Sequence, residues 1–203
     1  MAVITISRQF GAGGRTLGQM IAEELGYDFV DDVIIHEVAK KAKVSTRSVK
    51  SIERTAGGKL SKIFSGLISS DYMDRMIGEG KGYIDEEIYV DILHEVIKDM
   101  AKRDHIVLMG RGGQYILQDD PNAFHILLVS DIESRIQFMQ RYYDLSTSKA
   151  EKAVMHGEKR RANLYAKFGR QDYNRPQLYH LVLNMSKISM EKALKVVCNL
   201  VTA

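Results

Sequence analysis

Between an apolar run and a helical pattern near its start, the chain carries Gly11-Ala12-Gly13-Gly14-Arg15-Thr16. No other feature restricts its fold as much. Val3-Ile4-Thr5-Ile6 reads as a buried strand; Leu17, Met20, Ile21 and Leu25 then recur at helical spacing until Gly26, a stop signal. A strand that enters glycines and leaves as a helix brings free backbone N–H groups and the positive end of a helix dipole to one point. An anion fits there, and the Thr16 hydroxyl could bind a phosphate oxygen or a metal-bound water. The plain alternative is an ordinary glycine turn.

Four more apolar runs, Tyr27–Val30, His105–Met109, Phe124–Val129 and Leu181–Asn184, join Val3–Ser7 as expected strands. They are mostly apolar instead of alternating, as in strands covered on both faces, and helical stripes such as Ile88, Ile92, Val96 and Met100 separate them. Ser189 is placed to cap a last helix with Leu194, Val197 and Val201 inside. Alternating strands and helices predict a parallel α/β sheet in one domain over 1–203. Ala56–Gly82, with six glycines, reads as mobile or as a small subdomain.

Nine Lys/Arg against four acids between Arg141 and Arg175 give that segment +5, while the whole chain carries +3. Such a patch serves a multiply negative partner or is simply solvated. The modest total argues against nucleic acid, and neither a signal peptide nor a membrane-length apolar run is evident, so the expectation is a cytoplasmic protein. Cys198 excludes an internal disulfide, and the six histidines show no metal-ligand spacing.

The loop fits two chemistries. It does not match G-x-x-x-x-G-K-[ST], since Gln9 stands at the first glycine. Against the G-x-x-G-x-G-K-G-T of many nucleoside-monophosphate kinases, Gly11-Ala12-Gly13 and Thr16 match, Arg8 falls on the first glycine and Gly14 on the lysine. The charge must then come from Arg15, Arg8 or elsewhere. A dinucleotide loop G-x-G-x-x-G is the rival: it needs a small residue where Thr16 sits, but Asp31 lies where a ribose-binding acid belongs.

Three further segments bring a family into view: Ile106–Met109 ending in Gly110-Arg111-Gly112, Phe124–Val129 leading to Ser130–Arg135, and Tyr179–Ser189. With the loop, their order resembles the cytidylate kinase-like family, in a branch with a lysine-free loop. That resemblance implies a P-loop nucleoside-monophosphate-kinase-like three-layer fold, with a five-stranded parallel sheet, an acceptor-binding insertion over about 44–85 and a basic helical lid over about 141–175. It implies ATP- and Mg²⁺-dependent phosphoryl transfer to a nucleoside monophosphate, CMP foremost. Gly11, Ala12, Gly13, Gly14, Arg15 and Thr16 would then hold the donor phosphates, Asp31 and Arg111 the acceptor, and Arg15, Arg135, Arg160 and Arg161 the transferring group. Departures are Gly14 for the loop lysine, Gly112 for the aspartate of Gly-Arg-Asp, and Met109 for the acid before it.

A nucleotide-binding regulator without turnover and a nicotinamide-dependent oxidoreductase stay open as alternatives. So do plainer uses of single residues: Arg160 and Arg161 as a solvated helix face, Asp31 and Asp32 as caps of the following helix, and Tyr165, Tyr173 and Tyr179 as packing.

Overall fold

Each of the five apolar runs becomes a strand: β1 (Val3–Arg8), β2 (Asp28–Val30), β3 (Ile106–Met109), β4 (Ala123–Val129) and β5 (Leu181–Asn184). They form one parallel sheet in the order β2-β3-β1-β4-β5, as seen in a computed structural model that describes residues 2–55 and 83–202. The order separates the two readings of the glycine loop. In a dinucleotide fold of order 3-2-1-4-5-6, the first strand neighbours the second. Here Val3 pairs with Ile106 of β3 on one side and with Ala123 of β4 on the other. The nicotinamide reading loses its scaffold.

Period-two alternation along the strands divides the core. Val3, Ile106 and Leu108 face one way, towards α2 (Val33–Lys41) and α4 (Glu86–Ala101). Ile4, Ile6, Val107 and Met109 face the other, towards α1 (Gly14–Leu25) and α8 (Met190–Thr202). The result is the expected three layers, with β1, β3 and β4 covered on both faces and Val182 of the edge strand β5 left exposed. Gly26 stops α1 in the left-handed region at φ 66°, and the Ser189 hydroxyl accepts the Lys192 N–H at the start of α8.

The remaining helices build one end of the sheet: α3 (Thr46–Arg54), α5 (Gly113–Ile116), α6 (Ile132–Tyr143) and α7 (Thr147–Lys167). Of the expected acceptor insertion, α3 and the entry to α4 are seen; 56–82 lies outside the described residues. The basic segment is chiefly α7, whose 21 residues run past the glycine loop. It is anchored at its far end, where Lys167 Nζ, fully buried, donates to the Thr55 carbonyl (2.7 Å) and to Glu86 (2.9 Å). No helix among the described residues is long and apolar enough to cross a membrane.

Candidate active site

The loop leaves β1 with Gln9 N–H on the Leu128 carbonyl (3.0 Å) and closes with Ala12 N–H on Gln9 (3.1 Å). Gly11 and Gly13 adopt φ 88° and 78°, which only glycine takes without strain. Both also lie against neighbours: a Cβ on Gly11 would meet the Arg135 Cβ and carbonyl at 3.0 Å, and one on Gly13 the Met190 Cε at 2.8 Å. The helical ladder begins with Leu17 N–H on Gly13. Ahead of it the N–H groups of Gly11, Gly13, Gly14, Arg15 and Thr16 donate to no backbone carbonyl among the described residues. Five undonated N–H groups at a helix N-terminus make a nest for an anion.

Across the end of β3, Gly110, Arg111 and Gly112 are all left-handed, at φ 63°, 50° and 75°. This turn aims Arg111 back into the protein. Its Nη1 donates to the Asp31 carbonyl (2.8 Å) and carboxylate (3.2 Å), its Nε to Glu53 (2.9 Å), and Asp32 lies 3.7 Å from Nη2. Burial would depress this guanidinium, but Glu53 and the other acids outweigh it and hold it above the ordinary arginine value. Glu53 also accepts the buried Tyr89 hydroxyl (2.8 Å), which burial pushes well up. Asp31 therefore braces Arg111 and, at 3.1 Å, Arg15. It does not cap α2: the N-cap is Asp32, without a side-chain hydrogen bond.

The third wall is α7. Gly157 admits the Phe10 ring, which any Cβ there would overlap, and the Arg160 guanidinium lies 5.6 Å from that ring. The next residue, Glu158, accepts the Phe10 N–H and pairs with Arg135 and Arg161, both at 3.4 Å. Arg161, only 9% exposed, also donates to Asn174 (2.6 Å) and covers the Tyr173 ring at 4.7 Å. Tyr173 stacks on Tyr165 at 4.3 Å, and Tyr179 donates to the Tyr173 carbonyl. These tyrosines pack. The solvated-face reading fails for Arg161, while Arg160 is exposed.

Loop, turn and helix enclose a cavity of about 380 Å³. Its lining brings together Arg15, Asp31, Arg111, Arg160 and Arg161 from the sequence reading. Arg135 stays outside the lining, packed behind Gly11 with its Nε buried and without a partner among the described residues. The sequence reading passed over Lys50, Glu53 and Arg54 of α3, although their spacing of three and four residues marks one helix face. It also passed over Glu158, and it raised Arg8 only as a possible source of charge. Seven cations (Arg8, Arg15, Lys50, Arg54, Arg111, Arg160, Arg161) and three acids (Asp31, Asp32, Glu53) line the cavity, an excess of four positive charges. A multiply charged anion suits it.

A model of the cytidylate kinase-like family matches residues 3–187. Among solved structures, an uncharacterized protein from Eubacterium ventriosum superposes with TM-score 0.69 at 16% identity, covering 100% of this chain and 99% of that one. Shikimate kinase from Acinetobacter baumannii, in complex with shikimate, gives TM-score 0.51 at 15% identity over 100% and 93%. Shikimate kinase from Bacteroides thetaiotaomicron gives 0.51 at 11% over 100% and 99%. At these identities the likeness is one of fold. No curated protein matches the chain.

Proposed function

Because this chain belongs to the cytidylate kinase-like family, we propose that it moves the γ-phosphoryl group of ATP to a nucleoside monophosphate, with CMP the first acceptor to test. The observation that carries this reading is the placement of five undonated loop N–H groups beside a cavity with four excess positive charges. Donor phosphates and an anionic acceptor can meet there.

In the transfer, an acceptor phosphate oxygen attacks the γ-phosphorus and the bond to the β-phosphate oxygen breaks, releasing the nucleoside diphosphate. No protein nucleophile takes part, so the chain supplies position and charge. The N–H groups of Gly11, Gly13, Gly14, Arg15 and Thr16 hold the donor phosphates. Arg160 and Arg161, on one turn of α7, line the same cavity as Arg111. Arg111 and Asp31 shape the acceptor wall chiefly by holding each other. Arg15 bridges the two parts, since it opens α1 and pairs with Asp31.

For Mg²⁺ the fit rests on Thr16. All three cavity carboxylates lie within 3.7 Å of Arg111, whereas the Thr16 hydroxyl follows directly on the loop, where P-loops keep a magnesium oxygen. Held there, Mg²⁺ would supply positive charge against the phosphates, with Thr16 as its protein oxygen.

A screen of ATP and Mg²⁺ against the common ribo- and deoxyribonucleoside monophosphates tests the proposal. Transfer to a pyrimidine monophosphate supports it; ATP binding without transfer to any monophosphate sinks it. That outcome would favour the nucleotide-binding regulator, a reading supported by the Glu158 carboxylate on the Phe10 N–H.

A further inference from the structure

The lysine missing from the loop leaves its charge unassigned, and two arginines of the same cavity answer that need differently. Arg111 is saturated by Asp31, Asp32 and Glu53. Arg8 makes no hydrogen bond and no ion pair within 4.0 Å among the described residues, although it lines the cavity. Its course is fixed by two glycines. A Cβ on Gly14 would lie 2.8 Å from Arg8 Cγ and 3.2 Å from Cδ, so the aliphatic stem crosses the position of the absent lysine. A Cβ on Gly110 would overlap the Arg8 Nη1, so the guanidinium ends over the turn after β3. Gly14 and Gly110 thus form a trough that any side chain would fill.

We propose that Arg8 is the cation of this phosphate loop, delivering from the end of β1, across Gly14, the charge that a lysine at position 14 would carry to the transferring phosphate. The assignment rests on the phosphoryl-transfer reading. An arginine kept for bracing would be tied to carboxylates or carbonyls, as Arg111 is. Arg8 is instead partly buried among like charges: burial pulls it below the ordinary arginine value, Asp31 attracts it from beyond pairing distance, and Arg111 and Arg161 repel it. A group so placed is stabilised by an incoming anion. Arginine also suits the task by gripping two phosphate oxygens at once.

The test uses inorganic tripolyphosphate as the probe for the full-length protein, followed by calorimetry, with Arg8→Gln, Arg8→Lys, Arg8→Gly and the swap Arg8→Gly/Gly14→Lys. Arg8→Gln should weaken binding by about 10- to 100-fold, the worth of hydrogen bonds to a charged group. Arg8→Lys should keep part of it. The swap should bind and turn over better than Arg8→Gly alone, because it returns a cation along the vacated trough. Wild-type-like tripolyphosphate binding by Arg8→Gln overturns the assignment, as does a wild type that does not bind the probe. If Arg8→Gln fails to fold, a swap no better than Arg8→Gly decides against it. Tripolyphosphate binding that depends on Arg8, in a protein that transfers to no acceptor, would reject the kinase reading and keep this one.

Discussion

The carboxylate of Glu158 accepts the backbone N–H of Phe10, one residue ahead of the first loop glycine. An acid of the basic helix thus sits at the mouth of the anion nest, holding Arg135 and Arg161. A phosphate entering the loop meets this carboxylate as a like charge. Glu158→Gln keeps an acceptor for the N–H and removes the charge. Isothermal titration should show ATP binding tightened by about 1 kcal/mol, within the range of partly exposed charge pairs. Weaker binding would mean that Glu158 serves by positioning the two arginines.

Arg111 holds three acids, so its loss strands them. Arg111→Ala should destabilise the protein by about 3–5 kcal/mol, the cost of removing one partner from a buried ionic cluster. Urea unfolding reads this directly. A variant as stable as wild type would show the cluster to be decorative.

Arg160 and Arg161 should separate stability from rate. Arg161 is packed against Asn174, Glu158 and Tyr173, so Arg161→Ala should cost about 1–3 kcal/mol as well as turnover. Exposed Arg160 should cost no more than about 0.5 kcal/mol in stability. In kcat, each should lose less than the roughly 10³–10⁵ of a lone arginine finger, since the other remains. Thermal melts beside steady-state kinetics check both halves.

Acid should weaken the sheet at His125. This ring is buried, bonded to the Thr5 hydroxyl (2.7 Å), and burial together with neighbouring His180 brings it down to about 4. The unfolded chain binds this proton near 6.5 and the folded one only near 4. Stability is therefore full above pH 6.5 and falls by up to about 3 kcal/mol as pH drops towards 4. Chemical denaturation between pH 7 and 4 should show that slope, and His125→Gln should flatten it.

The five strands were legible because each is a short, mostly apolar run, and Gly11 and Gly13 because their place between strand and helix demanded unusual backbone. The order of the strands was not, since pairing β1 with residues a hundred positions away leaves no local mark. Arg111 was recognised by its motif, but its saturation by Glu53 depends on a contact 58 residues distant. Arg8 ends a strand and Glu158 lies in a basic helix; neither position advertises a role. What singles them out is the neighbour each meets in three dimensions.

The central place of β1 also shapes how the chain comes together during synthesis. Residues 3–8 are made before the rest of the sheet, and both their partners, β3 and β4, lie beyond residue 105. At about 5–20 residues per second, the central strand waits roughly 5–25 s for its neighbours. Throughout that interval Val3, Ile4 and Ile6, fully buried at the end, lack the two strands that flank them. Nascent chains of this protein should therefore rely on chaperone shelter until the ribosome has passed β4, and high contact order should make refolding slow.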